Sequence, residues 1–311
     1  MRKLASIIIF VLVAASGFAQ QMPQYTNFDM NYFGLNPAVA GSEECLDMKI
    51  GYRRQWIGLE GSPTSAFLNA HGKIGKSRTG NFHGVGGMVE TDKTGPISFT
   101  SAHGAYAYHL RLNRKYMLAM GATLGILQYR LDLGGAVLPE VGALNDPALL
   151  ASRSSLVFPM ADIGFWLYGK DHFIGLSMKN ILNTEVPDIG LETYIVPHYL
   201  LSGGVNIDLN KGFEFKPQAL VKYVAGSRLA ADLNLLIEYK DVVTAGLGVR
   251  SENGISGIVR FNVLKYFSVG YAYDYTLSKM RFGGQNTHEL VIGIQACPDG
   301  EPRGIPCSAY D

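Results

Sequence analysis

The chain is poor in three things. Cysteine occurs 3 times in 311 residues, too rarely for the disulfide-dense scaffold of a small secreted domain. Charge is scarce too. Asp, Glu, Lys and Arg make up 17% of the chain, against about 25% in a typical soluble protein. With 27 basic residues against 26 acidic ones and no basic block, nothing offers an electrostatic footprint for nucleic acid. Past the first twenty residues no run of 18 apolar residues occurs, so nothing there crosses a bilayer as a helix. Other residues are plentiful: 37 glycines, 17 tyrosines, 15 phenylalanines and 47% apolar residues in all. That content excludes a disordered chain and points to β-structure that meets water over only part of its surface.

Met1-Arg2-Lys3 is a short positive start, and Leu4 to Ala15 is an apolar run. Gly17-Phe18-Ala19 then places small residues at −3 and −1 of a cut before Gln20. Residues 1–19 therefore read as a secretory signal peptide, the apolar run being too short for a retained span. No cysteine follows the cut, which argues against a lipoprotein.

From residue 46 the dominant period is two. Phe213, Phe215, Pro217, Ala219, Val221 and Tyr223 share one face, opposite Glu214, Lys216, Gln218, Leu220 and Lys222. Similar alternation runs through 199–209, 231–239, 255–263 and 266–275. Strands are expected near 46–56, 64–73, 82–91, 98–110, 115–130, 160–169, 172–180, 198–209, 213–223, 231–239, 242–250, 255–263, 266–275 and 288–295. Most have the ~9–11 residues that a tilted strand needs to cross a bilayer. Alternate connections are tight, as at Asn113-Arg114, Lys170-Asp171, Asn210-Lys211-Gly212, Lys240-Asp241 and Leu264-Lys265. Those between are mostly longer, especially 131–159, 181–197 and 276–287. Tyr52, Trp56, Tyr116, Tyr223, Tyr239 and Tyr275 fall near strand ends, where the aromatic girdles of a membrane barrel sit.

A secreted β-sandwich also alternates, but it explains neither the loop asymmetry nor the matched lengths. The expected fold is all-β: a transmembrane antiparallel barrel of about fourteen strands (roughly 12–16), with short periplasmic turns and longer extracellular loops. It would occupy 46–296. Residues 20–45 form an N-terminal segment at the rim or in the lumen, and 297–311 a polar, cysteine-containing tail. In a barrel the polar faces point inward and carry Lys49, Arg53, Lys216, Lys222 and Arg260 with Glu214, Asp232, Glu238, Asp274 and Glu289. This mixed set lacks the single-sign ring of a selective pore. Two arrangements suit it: charges that pair and fill the interior, or charges that solvate an open one.

Little here points to catalysis. The seven histidines form no HExxH arrangement, and no Ser/His spacing singles out a nucleophile with its base. Gly84-Val85-Gly86-Gly87 and Gly121 to Gly125 lie in strands with no following helix, unlike a nucleotide loop. Crowding by a neighbour or in the lumen explains them better. Cys297 and Cys307 enclose nine residues rich in Pro and Gly, so a local disulfide between them is the expected pairing in an exported chain. That leaves Cys45 as a small buried residue. No catalytic, cofactor-binding or metal site is expected.

Residues 20–74 carry a resemblance. Gln24-Tyr25, Leu35-Asn36-Pro37-Ala38-Val39-Ala40-Gly41 and the run from Tyr52-Arg53-Arg54-Gln55-Trp56-Ile57-Gly58 through Gly61-Ser62-Pro63-Thr64 look like the PorP/SprF family of type IX secretion membrane proteins. Ala105 to Leu110, Lys222-Tyr223-Val224, Gly270 to Tyr275 and His288-Glu289-Leu290 continue it. The resemblance implies an outer-membrane barrel of Bacteroidota-type bacteria that supports export or surface attachment of particular cargo proteins, such as adhesins of gliding motility. Its implied partners are a secreted or surface cargo protein, subunits of the type IX machinery and outer-membrane lipid. It implies no enzyme and no cofactor. The motif residues Asn36, Pro37, Gly41, Tyr52, Arg53, Gln55, Trp56, Gly58, Gly61, Pro63, Tyr273, Asp274, His288 and Glu289 bring no chemical roles with them. The tail after the last strand departs from the family pattern. The alternative function for a barrel this size is a passive or fatty-acid-type outer-membrane channel.

Overall fold

The computed structural model describes residues 22–43, 45–75, 80–132, 155–185, 194–251, 254–263, 266–277 and 286–296. Its barrel strands are β1 (Leu46–Arg54), β2 (Thr64–Ile74), β3 (Phe82–Thr94), β4 (Ile97–Arg111), β5 (Met117–Leu131), β6 (Ser155–Tyr168) and β7 (His172–Lys179). They continue with β8 (His198–Val205), β9 (Phe213–Val224), β10 (Ala230–Tyr239), β11 (Val243–Arg250), β12 (Gly254–Val263), β13 (Phe267–Thr276) and β14 (Thr287–Ala296). Each is antiparallel to its sequence neighbour, and β1 pairs with β14 from Leu46↔Ala296 to Arg54↔His288. The sheet thus closes into a fourteen-stranded barrel. Closure removes every edge, which lipid requires because it offers backbone N–H and C=O groups no partner.

Strand bounds differ from the alternation in two informative places. β1 stops at Arg54 because Trp56, with φ of 45°, already turns the chain. Trp56 therefore stands in a loop and is no girdle residue. β6 starts at Ser155 and runs through Pro159. Proline is tolerated there because β6 outruns β7, whose pairing begins at Ile163, so the ladder is one-sided. The strands β3 to β6, 13 to 15 residues long, raise this side of the barrel. At its top Tyr129, Phe158 and Ile195 are buried together.

The outer wall is apolar: Ile50 is 51% exposed and Leu124 75%. Tyr52, Tyr199, Tyr223 and Tyr275 ring one end, and Phe213, Tyr239, Tyr266 and Phe267 the other. Phe213 and Tyr239 lie 4.5 Å apart across adjacent strands at the short-turn end. There Lys240 and Asp241, with φ of 50° and 55°, make the tight turn whose handedness matches strand twist. Short turns mark the periplasmic rim, and β1 starts and β14 ends on that rim.

The dry core lies inside the barrel. Residues 25–43 are buried throughout and run through the lumen, with Tyr25, Phe28, Met30, Tyr32, Phe33 and Leu35 packed on Phe67, Met88, Trp166, Phe173, Leu200 and Leu220. Tyr32 stands 5.0 Å from Phe173 and 5.3 Å from Trp166, ring centre to ring centre. Glycines in the wall make room for this plug. A β-carbon on Gly84 would lie 1.8 Å from the Ala40 carbonyl oxygen, one on Gly164 2.0 Å from the Asn36 side chain, and one on Gly121 2.5 Å from the Ala38 nitrogen. Luminal crowding thus accounts for Gly84, Gly86 and Gly121, and close approach of β4 for Gly125.

Gly121→Leu should therefore destabilise the folded barrel by roughly 1–3 kcal/mol or more, the usual cost of overpacking. Gly257→Ala, where a β-carbon meets nothing within 4 Å, should be near neutral. Denaturant unfolding in detergent, followed by the mobility shift between folded and unfolded protein on gels, measures both. Equal stability of the two variants would refute the glycine seat.

Candidate functional site

The plug is built from three short turns: a 3-10 turn at Phe28–Asn31, a single α turn, α1, at Tyr32–Leu35, and a 3-10 turn at Pro37–Val39. The last has a local cause. Asn36 is extended (φ −146°), as a residue before proline prefers. Its side-chain oxygen accepts from the Ala38 N–H at 3.0 Å, and Pro37 takes the first position, where a missing N–H costs nothing. The Asn36 amide also donates to the wall, to the Phe165 and Leu176 carbonyls at 2.9 and 3.3 Å. Ser177 and Lys179 donate to the Leu35 and Gly34 carbonyls, each at 2.7 Å. Gly41 takes a φ of +75° against Gly84, where a side chain would be excluded.

Two histidines hold the lower end of the plug. His109 Nε2 lies 2.8 Å from the Ala40 carbonyl, which only accepts, so Nε2 carries the proton and Nδ1 accepts from the Tyr168 hydroxyl at 2.8 Å. His71 Nδ1 accepts from the Gly41 N–H at 3.3 Å, leaving its Nε2 proton for the Asp47 carboxylate 3.3 Å away. The role of His71 is structural.

The upper end meets a charge cluster. Arg53 of β1 donates to Asp274 of β13 at 2.6 Å and to Glu289 of β14 at 2.9 Å, and its third bond goes to the Thr26 hydroxyl at 2.6 Å. The Thr26 hydroxyl in turn donates a hydrogen bond to Asp274 at 2.8 Å. Glu289 accepts the backbone N–H groups of Thr26 and Asn27 at 2.7 and 2.8 Å. Arg53 and Glu289 are 2% and 1% exposed. Charge-assisted bonds of this kind are about twice as strong as neutral ones. Arg250 extends the cluster, reaching Asp232 at 3.1 Å, Asp274 at 3.8 Å and the Tyr25 carbonyl at 3.3 Å. Arg260 pairs with Asp29 of the plug. The Tyr25 hydroxyl donates to Glu90 at 3.0 Å. Burial and the Glu90 carboxylate push its pKa far above the usual tyrosine range, so it remains a donor.

The other luminal charges pair as well: Lys49 with Asp47 at 2.7 Å, Lys216 with Glu238 at 2.8 Å and with Glu214 at 3.8 Å, and Lys222 with Asp232 at 2.9 Å. Of the two arrangements open to the mixed set, the structure shows the filled, paired one.

The motif residues divide into three places. Asn36, Pro37 and Gly41 belong to the plug, and Arg53, Asp274 and Glu289 meet at its upper end. Gln55, Trp56, Gly58, Gly61 and Pro63 form the β1–β2 loop, closed by Gln55 N–H to the Pro63 carbonyl at 2.9 Å and tied to β3–β4 by Gly95 N–H to the Gly61 carbonyl at 2.8 Å. The third set faces outward: Tyr52 on the apolar wall, and Tyr273 beside His288 with ring centres 5.2 Å apart. Alternation alone does not single out Thr26, Asn27, Asp29, Asp47, Lys179 or Arg250. Asp47, Lys179 and Arg250 at least sit on inward positions, whereas the plug residues have no period to betray them. Cys297 and Cys307 lie outside the described residues. Cys45 is buried as expected but is disulfide-bonded, which corrects its reading as the leftover thiol. Among the described residues no three His, Cys, Asp or Glu side chains gather as a metal site would need.

The family model of the type IX secretion system membrane protein PorP/SprF matches residues 17–294, from before the plug to the end of β14. The chain belongs to this family. No curated protein matches it. In fold this PorP/SprF protein is similar to the CymD monoaromatic hydrocarbon channel, 14% identical, with a TM-score of 0.50 over 90% of this chain and 94% of that one. The Pseudomonas putida toluene transporter TodX is 10% identical (TM-score 0.49, 91% and 96% covered), and the Ralstonia pickettii toluene transporter TbuX 13% (0.48, 84% and 92%). Identities this low speak for fold alone. Family and barrel together place the protein in the outer membrane.

Arg53→Met would take from buried Glu289 its ion-pair partner and leave Asp274 with only Arg250, 3.8 Å away. Removing one member of such a buried set costs about 3–5 kcal/mol. The expected result is a barrel destabilised by that amount, with cleavage within 22–43 under limited proteolysis that the parent protein resists. A variant as stable and protease-resistant as the parent would show that the cluster does not hold the plug.

Proposed function

We propose that this PorP/SprF protein docks or anchors a specific secreted or surface cargo protein for the type IX machinery, and works at its rims rather than through its lumen. One observation carries the reading: residues 22–43 fill the interior and bond to the wall from Tyr25 to Gly41. A passive channel would need that segment to leave against a paired charge cluster. Protein–protein recognition then falls to the connections, which vary freely while strands must satisfy ladder and lipid.

On this reading residues 1–19 are a cleaved export signal, and the short turns with the tail 297–311 meet periplasmic subunits. The long connection between β5 and β6, most of which lies outside the described residues, rises from the raised side of the barrel and contacts the cargo. Family membership supports the secretion setting, and the filled lumen supports the rim mechanism.

Exchanging residues 133–154 for the corresponding loop of another family member should change which cargo co-purifies in detergent pull-downs identified by mass spectrometry. The parent protein in planar bilayers should give no steady conductance. Unchanged cargo would remove loop-encoded choice, and a large resting conductance would favour the channel.

A further inference from the structure

The lipid-facing side of the wall is almost free of charge. Along β1 to β14 nearly every Asp, Glu, Lys and Arg falls on an inward position, and the three that fall on outward ones are Arg54, Lys93 and Arg130. All three are cations, and strand pairing brings them into one row. Arg54 stands opposite Thr64, Thr64 opposite Lys93, Lys93 opposite Ser98, Ser98 opposite Arg130, and Arg130 opposite Ser155. Cation and hydroxyl thus alternate across β1 to β6, with successive cations two strands, about 9–10 Å, apart. The row lies at the cell-surface end, where β1, β3 and β5 finish. Each cation is exposed. Arg130 has Asp132 3.9 Å away, and no described residue pairs with Arg54 or Lys93.

The rows beneath it are graded. Two residues nearer the membrane centre, Tyr52, Thr91, Thr100 and Gln128 face outward on one line of the ladder, and Thr91 and Thr100 hydroxyls meet at 3.1 Å. Two residues further in, the line is Ile50, Leu68, Val89, Ala102 and Ile126. From the centre outward the wall is therefore apolar, then hydroxyl-bearing, then cationic. A lipid has the same order: acyl chains, polar linkage, anionic headgroup. Interfacial cations that merely snorkel would occur around the whole rim, but β8, β9 and β13 end instead on Tyr199, Tyr223 and Tyr275.

We propose that Arg54, Lys93 and Arg130 form a binding site for the phosphate-bearing headgroup of an outer-leaflet lipid. Arginine grips phosphate through paired N–H donors, and lysine acts as a point charge between the two arginines. Thr64, Ser98 and Ser155 supply hydroxyls to the headgroup's polar scaffold. The lipid lies along the outer face of β1 to β6, so it fixes which side of the barrel an annular lipid occupies. The site is separate from the lumen and from cargo recognition.

Full-length protein in detergent, titrated with diphosphoryl lipid A and followed by native mass spectrometry, tests the site. The parent should retain the lipid, and the combined Arg54→Gln, Lys93→Gln, Arg130→Gln variant should bind it at least about tenfold more weakly. Lys93→Gln alone should show part of that loss. Changing Lys170, Lys211 and Lys240 of the short turns to Gln should leave binding unchanged, and the same lipid without its phosphates should bind the parent no better than the triple variant binds the intact one. The gel mobility shift verifies that each variant is folded. Undiminished binding by the triple variant, an equal loss in the short-turn variant, or equal binding of the phosphate-free lipid would overturn the proposal.

Discussion

Arg53 is where the barrel's closure and its contents meet. A guanidinium enclosed in a lumen cannot be left without counter-charge, because water is not there to replace it. Its partners come from β13, β14 and the plug at once. The arrangement is thus satisfied only when the last strands have found the first and the N-terminal segment has entered. Seam, lumen and plug become one cooperative unit through a single side chain.

The rest of the molecule follows from placing its dry core inside a wall whose outer surface is also apolar. Outward positions meet lipid and need only be greasy, with aromatics at the two ends. Inward positions must accommodate an irregular segment of backbone. They do so in two ways. On the β3–β7 side the wall is pared back to glycine and alanine at Gly84, Ala107, Ala119, Gly121 and Gly164, so the plug backbone approaches closely. On the β9–β14 side the wall carries charges that pair with one another and with the plug. Steric fit holds one flank and ion pairing the other.

A filled lumen changes what such a barrel is suited for. The fold is similar to that of a hydrocarbon channel, yet here the plug fills the interior, and on the proposed reading recognition falls to the rims. The raised β3–β6 side, with its own small apolar cluster of Tyr129, Phe158 and Ile195, gives the outer rim a rigid base. Rigid bases with variable connections are how a common scaffold comes to hold different partners.

The alternation was legible because it is a local demand. Lipid on one face and an enclosed interior on the other force period two within every strand, and each segment states this without reference to any other. Strand number, loop asymmetry and the inward set of charges could therefore be read directly. The plug could not, since Thr26, Asn27 and Asp29 stand in a segment without period and their meaning depends on Glu289, Asp274 and Arg260, more than 200 residues away. Cys45 was misread for the same reason, since spacing along the chain does not reveal that it is disulfide-bonded. By itself the sequence determined which strands form and which of their faces meets lipid. Only the tertiary structure decided what fills the interior and which charges meet there, because those contacts join residues that closure alone brings together.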